Sequence, residues 1–157
     1  MGSVSGQMSV PYGNSNHDET GTVKRAQGCL LGQLSGDALG SLVEFRTADE
    51  IRREYTCGVR ELADGGTFNT IVGQPTNDSE MSLMLARMLV KQRSYDAEAA
   101  RTFYVYWFNS GPFDCGNTVS SGLRGQLNPD SQANGALMRI SPLGIFGANY
   151  EVQQVAT

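Results

Sequence analysis

Apolar residues recur every three or four positions through most of this chain, which is the spacing of a helix with one apolar face. The first such run predicts a helix over residues 22–43. No stretch alternates apolar and polar residues over the length of a strand, so the pattern predicts an all-α fold. The apolar positions of the first run are Val23, Ala26, Leu30, Leu34, Leu39, Leu42 and Val43.

Capping residues set the bounds of two further helices. Thr47 is followed three positions later by Glu50, which is the arrangement of a capping box and predicts a short helix through Tyr55. Asp96 is a typical N-cap, and it precedes an aromatic-rich helical run that the pair Gly111-Pro112 would stop. Large aromatic residues at helical spacing indicate a face that packs in the core.

Three more helices are predicted after the long central loop. A methionine-rich apolar face predicts a helix that ends near Gln92, with methionine as a core filler. Shorter helices are predicted over residues 117–127 and 134–142. The methionine-rich face consists of Met81, Met84, Leu85, Met88 and Leu89.

Two segments lack a helical pattern. Residues 1–21 are rich in Gly, Ser and Asn and are predicted to be a disordered leader, which leaves residues 22–157 as the folded part. Residues 56–76 are rich in glycine and have no clear period, so we expect a long loop there. Loops of this length are usually functional.

Four glycines lie four residues apart within the first predicted helix. Each costs roughly 1 kcal/mol of helix stability relative to alanine, so some compensating contact is expected. A glycine ridge lets another helix or a ligand approach the backbone closely, and close helix packing is the favoured interpretation. The ridge consists of Gly28, Gly32, Gly36 and Gly40.

Composition excludes several classes of function. The net charge of −4 comes with no basic stripe, so no nucleic-acid groove is expected. No signal peptide and no apolar run of membrane-spanning length are visible, which favours a cytoplasmic protein with no membrane partner. The single histidine, His17, lies in the polar leader, which argues against a Ser-His-Asp triad and against histidine-ligated zinc.

The three cysteines are an odd number and form no Cys-x-x-Cys pair. This argues against a disulfide framework and against a zinc knuckle. Their neighbours are apolar residues or glycine, which predicts buried free thiols and a reducing compartment. The three are Cys29, Cys57 and Cys115.

Five successive oxygen-bearing side chains, from Thr76 to Glu80, precede the methionine-rich helix. Hydroxyl, amide and carboxylate oxygens suit a hard cation such as Mg²⁺ or Mn²⁺, and the start of a helix would hold them in a fixed fan. Asn77 and Glu80 also have the spacing of a capping box. The residues alone leave both readings open, a metal site and a helix cap.

Three segments together resemble the ADP-ribosylglycohydrolase family, in order and in spacing. The resemblance extends over residues 25–146. The first segment is Arg25-Ala26-Gln27-Gly28-Cys29-Leu30-Leu31-Gly32, continuing through Gly36-Asp37-Ala38-Leu39-Gly40 to Glu44-Phe45. The second is Pro75-Thr76-Asn77-Asp78-Ser79-Glu80-Met81, and the third is Asn134-Gly135-Ala136-Leu137-Met138-Arg139 with Pro142-Leu143-Gly144.

The resemblance implies an orthogonal helical bundle with a two-metal centre at one end. Thr76, Asn77 and Asp78 fall on the first-half metal ligands of the family, which hold Mg²⁺, with Mn²⁺ as an alternative. Glu44 falls on the mobile acidic residue of the family and is a candidate general acid or base. Two cations at such a centre hold ribose hydroxyls and a water and stabilise charge at the anomeric carbon.

The resemblance also implies substrate-binding positions. Asp114 and Gly116 belong to a segment similar to a loop beside the proximal ribose, although Asp114 is equally well placed as a helix cap. Ser131, Asn134 and Gly135 fall on the segment that receives the diphosphate. Backbone N–H groups at a helix start would suit that anion in a protein with few basic residues.

Two departures from the family pattern affect the interpretation. Asn77 stands where the family has aspartate, which removes one negative charge from a dication site and should weaken metal binding. The family domain is about twice as long, and no Asp-x-Asp-[Thr/Ser] segment appears after Glu151. The chain therefore resembles the N-terminal half of the domain, apparently truncated.

Three functions remain open at this point. The first is a hydrolase that cleaves the N- or O-glycosidic bond between ADP-ribose and a modified side chain, weak or inactive in this chain alone. The second is an ADP-ribose-binding pseudoenzyme or partner subunit, and the third is a helical interaction domain. The expected partners are an ADP-ribosylated protein or conjugate, and a complementing C-terminal half or a second copy. The glycine ridge and the Trp107-Phe108 face are the surfaces expected to be exposed.

Overall fold

The computed structural model describes residues 8–9, 19–126 and 128–149, and this part of the chain is mostly helical. The all-α prediction is confirmed. Six α-helices are described: α1 (Glu19–Gly40), α2 (Ala48–Glu54), α3 (Asn77–Gln92), α4 (Ala97–Asn109), α5 (Asn117–Leu123) and α6 (Ser141–Phe146). Short 3₁₀ helices span Leu137–Arg139 and Gly147–Asn149. Two strands, β1 (Met8–Ser9) and β2 (Ser94–Tyr95), pair antiparallel.

The core forms around α3, whose methionine-rich face is buried as the sequence predicts. Helix α3 packs mainly against α4, α6 and the 3₁₀ helix Leu137–Arg139. Met81 and Met88 are fully buried, because the unbranched thioether fills the space between these helices. The core consists of Met81, Leu85, Met88, Leu89, Ala100, Tyr104, Trp107 and Val119.

The helix caps follow the sequence closely in two places. Thr47 and Glu50 form the predicted capping box at the start of α2. Asp96 caps α4, and its Oδ1 accepts a hydrogen bond of 2.6 Å from the backbone N–H of Ala99. Helix α4 ends at Asn109, just before the predicted stop. These local signals succeed because each cap depends on residues only three positions apart.

The expectation that the Trp107-Phe108 face is exposed is wrong. Trp107 is only 4% exposed, and Phe108 packs partly buried against the core. The indole Nε1 of Trp107 donates a 2.7 Å hydrogen bond to Oε2 of Glu80. A buried indole needs such an acceptor, and a carboxylate on α3 supplies it.

Helix α1 instead carries exposed apolar side chains. Val23 is 53% exposed and Leu31 is 61% exposed. A Cβ atom placed on any glycine of the ridge would meet nothing within 4 Å among the described residues, so the expected close helix packing is not seen there. The ridge is an open helix surface in this part of the chain.

The last predicted helix is wrong. Residues 134–136 form a turn, which leads into the 3₁₀ helix Leu137–Arg139. Helix α6 then begins at Ser141, with Pro142 in its first turn. Proline lacks the N–H that the interior of a helix needs, but the first turn does not use it, so Pro142 starts a helix here instead of ending one. Helix α5 is also shorter than predicted and ends at Leu123.

The chain start differs from the predicted leader in two respects. Helix α1 begins at Glu19, three residues before the predicted start, and Met8–Ser9 lie in β1. The other leader residues lie outside the described ones. The cysteines are free, but Cys29 and Cys57 are exposed and Cys115 is half-buried, so the prediction of buried thiols is wrong. In the described ranges, none of the helices has the length and apolarity to span a bilayer.

Replacing Met88 with alanine tests the role of the methionine face. Met88 is fully buried, so Met88→Ala should lower the free energy of unfolding by about 2–5 kcal/mol through lost packing and a residual cavity. Val90 lies on the same helix and is 79% exposed, so Val90→Ala should change it by less than about 0.5 kcal/mol. Urea unfolding followed by Trp107 fluorescence measures both. Equal effects would place the core elsewhere.

Candidate active site

A carboxylate from α1 caps the N-terminus of α3. Oδ2 of Asp37 accepts hydrogen bonds from the backbone N–H groups of Thr76 (3.0 Å) and Ser79 (3.1 Å). Oδ1 of Asp37 accepts a 2.6 Å bond from the hydroxyl of Thr76. Asp37, on a different helix, therefore satisfies free N–H groups at the start of the core helix α3. Its negative charge also interacts favourably with the positive end of the helix dipole.

The predicted capping pair of Asn77 and Glu80 is wrong. Thr76 is the N-cap residue and its side chain makes no capping bond, while Asn77 is the first residue of α3. Glu80 bonds to Trp107 instead. The two N–H groups that this local pair would need have other acceptors: the N–H of Glu80 donates to the carbonyl oxygen of Thr76, and the N–H of Asn77 donates to Asp114.

Gln33 lies one helical turn before Asp37 and ties α1 to three other elements. Its Nε2 donates to the carbonyl oxygens of Asp78 (3.1 Å) and Met138 (2.8 Å). Its Oε1 accepts a 3.2 Å bond from the hydroxyl of Ser82 and a further bond from the hydroxyl of Ser141. Sequence reasoning missed this residue, although two polar side chains four positions apart in a glycine-rich helix are a usable signal.

Glu44 follows α1 in a segment of turns that a neighbouring loop holds in place. The carbonyl oxygen of Glu44 accepts a hydrogen bond from the hydroxyl of Thr67. Gly66, at φ +72°, brings the loop so close that a Cβ atom there would lie 2.5 Å from the carbonyl oxygen of Ser41. Residues 65–70, which we call the clamp loop, therefore fix the backbone that presents Glu44.

Four carboxylates gather near the N-terminus of α3. Burial raises the pKa of Glu44 above its ordinary value, and the charges of Asp114, Asp78 and Asp37 raise it further. Burial, then Asp37 and Asp114, likewise raise the pKa of Asp78. The pKa of Asp114 is raised mainly by burial, against a lowering hydrogen bond from the backbone N–H of Asn77. These shifts show that the carboxylates share one acidic environment.

Three of these acids, Asp37, Glu44 and Asp78, line an open cleft of about 400 Å³ between α1 and the start of α3. Gly32, Gly36 and Gly40 of the glycine ridge form one wall, so backbone rather than side chains borders the space there. The cleft is lined by Gly32, Gln33, Gly36, Asp37, Gly40, Ser41, Val43, Glu44, Thr76 and Asp78. Two predicted metal-binding positions, Thr76 and Asp78, thus share the cleft with Glu44, the predicted general acid or base.

The donor set around the cleft consists of oxygens, which fits a hard cation. Within residues 8–9, 19–126 and 128–149, however, no three His, Cys, Asp or Glu side chains are arranged to hold a metal ion. Asn77, the third predicted ligand, is buried, 7% exposed, at the first position of α3. The described residues therefore fit a cation chemically, but their His, Cys, Asp and Glu side chains do not by themselves form a metal site.

The predicted substrate-binding positions after Asp114 lie around α5. Gly116 is the N-cap of α5. The hydroxyls of Ser131 and Thr118 lie 3.0 Å apart, and a Cβ atom at the buried Gly135 would lie 3.0 Å from Cγ2 of Val119. Asp114 lies close enough to the acidic cleft that its charge raises the pKa of Glu44.

The predicted helix start for a diphosphate at Asn134 and Gly135 is not an α-helix start. Asn134 is exposed, and its carbonyl oxygen accepts a 3.0 Å bond from the N–H of Met138 in a turn. Arg139 stacks over the ring of Tyr104, with 4.5 Å between the guanidinium carbon and the ring centroid. Burial of the phenol raises the pKa of Tyr104 to about 12, although the charge of Arg139 acts to lower it.

Asp37→Asn tests the cross-element cap. We expect this change to lower the free energy of unfolding by about 1–3 kcal/mol, because one charged acceptor of the Asp37 group is lost while the N–H groups stay half-buried. Asp49 is an exposed acid on α2, so Asp49→Asn is the matched control and should have an effect below about 0.5 kcal/mol. Chemical denaturation measures both, and equal stability of the two variants would contradict the cap.

Gly66→Ala tests the clamp loop. Both Gly66 and Gly58 have positive φ, but only a Cβ atom at Gly66 meets neighbouring backbone. Gly58→Ala should therefore cost only the backbone strain, about 1 kcal/mol, and Gly66→Ala should cost clearly more. Thermal unfolding of the two variants gives the comparison. A Gly66→Ala variant as stable as Gly58→Ala would mean that the loop does not hold Ser41 and Glu44.

The match with known proteins covers nearly the whole folded part. A family model described as ADP-ribosylglycohydrolase matches residues 18–157. The chain is 38% identical over 143 residues to an ADP-ribosyl-[dinitrogen reductase] glycohydrolase of Rhodospirillum rubrum, covering 85% of this chain and 46% of that protein. It is 33% identical to the ADP-ribosylarginine hydrolase Tri1 of Pseudomonas putida (strain GB-1), covering 78% of this chain and 36% of that protein.

A solved structure agrees with these relatives. A chain of an ADP-ribosylglycohydrolase-related protein complex superposes with a TM-score of 0.64 at 29% identity, over 78% of this chain and 42% of that one. The chain thus spans less than half the length of these relatives. The motifs, the helical fold and these matches together show that the chain belongs to the ADP-ribosylglycohydrolase family.

Proposed function

We propose that this chain supplies part of the active site of a Mg²⁺-dependent hydrolase that releases ADP-ribose from a modified side chain. The observation that carries the proposal is the gathering of Glu44, Asp78, Asp114 and Asp37 beside the cleft at the start of α3. Glycosidic bond cleavage needs an acid or base near the leaving group and stabilisation of positive charge at the anomeric carbon, and an acidic cleft suits both needs.

Thr76, Asn77 and Asp78 would hold the cation. Mg²⁺, or Mn²⁺ in its place, would supply charge stabilisation and orientation for the ribose hydroxyls. The bond from Thr76 to Asp37 would position the threonine oxygen, since its hydroxyl proton is already directed at that carboxylate. Further oxygen ligands would be needed, because no three His, Cys, Asp or Glu side chains of the described residues are arranged around a metal ion.

Glu44 would exchange the proton in the reaction. It lines the same cleft as Thr76 and Asp78, and the clamp loop fixes its backbone. Asp114 would bind a hydroxyl of the proximal ribose, and Gly116, Ser131, Asn134 and Gly135 would continue the substrate surface along α5 toward the diphosphate. The substrate would be an ADP-ribosylated protein or a smaller ADP-ribose conjugate, in line with relatives named for dinitrogen reductase and for ADP-ribosylarginine.

One observation favours the second candidate function, an ADP-ribose-binding protein without catalysis. Asn77 carries no charge at a position where the family pattern has an acid, so a pair of dications would be less well neutralised. Binding of ADP-ribose would survive this change more easily than hydrolysis, because binding does not require the full metal charge. We propose this function for the isolated chain, with little hydrolysis.

The exposed apolar residues of α1 suggest how catalysis would be completed. Val23 and Leu31 are more than half exposed beside an open glycine ridge. Apolar surface of this kind favours association. A complementing C-terminal half of the domain, or a second copy of this chain, would cover it and bring further oxygen ligands to the cleft.

Calorimetric titration and a hydrolysis assay together test the proposed function. The 157-residue chain should bind ADP-ribose in the presence of Mg²⁺, and it should release little ADP-ribose from ADP-ribosylarginine. Absence of ADP-ribose binding at millimolar concentration would reject the family function for this chain. Fast Mg²⁺-dependent release of ADP-ribose would instead reject the proposal that the isolated chain binds ADP-ribose with little hydrolysis.

Asp78→Asn tests the cation site without relying on activity. Titration with Mn²⁺, followed by electron paramagnetic resonance of the free ion, should show several-fold weaker binding than in the unchanged chain, because a carboxylate ligand is replaced by a neutral amide. Asp49→Asn removes the same charge from α2 and should leave Mn²⁺ binding unchanged. Equal binding by both variants would place the cation away from α3.

A further inference from the structure

A second cavity, of about 470 Å³, lies between α3 and the loop that follows α4, and we call it the side pocket. Asp78 lines the acidic cleft, whereas Glu80, two positions later in the first turn of α3, lines the side pocket. In the loop after α4, Phe113 lines the side pocket, and the charge of the next residue, Asp114, raises the pKa of Glu44. The side pocket and the cleft therefore lie next to each other along both segments.

The walls of the side pocket are largely apolar, and its volume lies within the range of roughly 300–1,000 Å³ that is usual for ligand pockets. Leu83 is 47% exposed and Phe113 is 44% exposed, so apolar surface is open to solvent at this pocket. An apolar side chain of a partner would be removed from water here, which favours binding. The apolar residues of the lining are Leu83, Met84, Trp107, Pro112 and Phe113.

The two charged groups of the side pocket differ in what they already bind. Glu80 accepts the hydrogen bond of the Trp107 indole. Arg87 lies seven residues further along α3, which places it about 10 Å from Glu80 along the helix axis. Among the described residues Arg87 forms no ion pair, so its guanidinium can receive a carboxylate from a partner, with two parallel hydrogen bonds. The lining is therefore complementary to an apolar group that has an acid beside it.

Contacts between three phenylalanine rings limit the distance between the side pocket and the residues next to the cleft. The ring centroid of Phe68 lies 5.5 Å from that of Phe113 and 6.3 Å from that of Phe45, so the two outer rings are no more than about 12 Å apart. Phe45 directly follows Glu44, which lines the cleft. An extended polypeptide covers about 12 Å with about four residues. One short peptide segment can therefore reach from the cleft to the side pocket.

We propose that the side pocket is a docking site for the polypeptide of an ADP-ribosylated protein, and that it binds a large apolar side chain next to an acidic residue, about four residues from the modified position. The apolar walls and Arg87 define the chemistry of this segment, and the adjoining cleft defines its source. The inference rests on the proposed function, since it assigns a surface for the protein part of the substrate beside the same cleft. Free ADP-ribose would leave the side pocket empty.

Short unmodified peptides test the side pocket without any hydrolysis. Trp107 is the single tryptophan of the 157-residue chain, so its indole N–H gives one nuclear magnetic resonance signal that reports on the pocket. The chain is titrated with the end-capped peptide Gly-Leu-Glu-Gly and with two versions, one with lysine in place of glutamate and one with serine in place of leucine. We expect the first peptide to shift the signal and to bind about two- to fivefold more tightly than the lysine version, the range for an exposed ion pair. The serine version should also bind more weakly. Equal binding of all three peptides, or no shift with the first at millimolar concentration, would overturn the proposal.

Substitutions in α3 give the second arm of the test. Arg87 and Leu83 are exposed, so neither side chain is needed for the core. Arg87→Glu should reverse the preference, so that the lysine peptide binds more tightly than the glutamate peptide. Arg93→Glu makes the same change of charge at the exposed C-cap of α3, outside the pocket, and should keep the original preference. Leu83→Ala should weaken binding of both peptides, whereas Val90→Ala, on an exposed part of the same helix, should not. An unchanged preference in Arg87→Glu would overturn the proposal.

Peptides that carry ADP-ribose on one side chain test the link between the side pocket and the cleft. When leucine lies four residues from the modified position, both sites can be filled at once. Such a peptide should bind about tenfold or more tightly than one in which leucine is the next residue, because the second contact becomes intramolecular. Equal affinities would overturn the assignment of the side pocket to the substrate polypeptide.

The docking site and the proposed function fail in different ways. Arg87→Glu should leave the affinity for free ADP-ribose unchanged, because Arg87 does not line the cleft. A chain that binds the glutamate peptide but not ADP-ribose would retain the side pocket as a peptide site and reject the proposed function. A chain that binds ADP-ribose but shows no preference among the peptides would keep the proposed function and reject the docking site.

Discussion

The hydrogen bonds of one carboxylate, Asp37, set the geometry on which the rest of this structure depends. Asp37 lies on α1 and accepts bonds from two backbone N–H groups and one hydroxyl at the start of α3. Helix α3 carries the core methionines on one face and Asp78 at its start. Because this charged cap comes from α1, it fixes the core helix and the cleft relative to each other. A cap from a residue next to α3 would fix only the start of that helix.

The cleft combines structural support with burial of its acids and repulsion between their charges. Glu44, Asp78 and Asp114 come from three separate segments, and the charges of neighbouring acids raise the pKa of each. Such an arrangement opposes folding unless other contacts outweigh it, and here those contacts are the clamp loop, Gln33 and the buried α3–α4 core. Groups of acids held together in this way are typical of sites whose charge a ligand later neutralises.

Sequence reasoning succeeded where the signal is local or repeated along the chain. It predicted the helical fold, the capping box at Thr47 and the buried face of α3. It placed Thr76 and Asp78 at a helix start and brought them near Glu44 through family resemblance. The cap by Asp37, the role of Gln33 and the burial of Trp107 depend on partners at least 27 residues away, which no spacing rule reveals.

The Gln33 side chain has a consequence for the order in which the molecule folds. Its partners Met138 and Ser141 lie 105 and 108 residues further along the chain. Contacts between such distant positions form late, because a large loop must close before they contribute any stability. During synthesis, the bonds from Gln33 to Met138 and Ser141 can therefore form only after the 3₁₀ helix and α6 have left the ribosome, whereas the partners of Asp37 at the start of α3 are made much earlier.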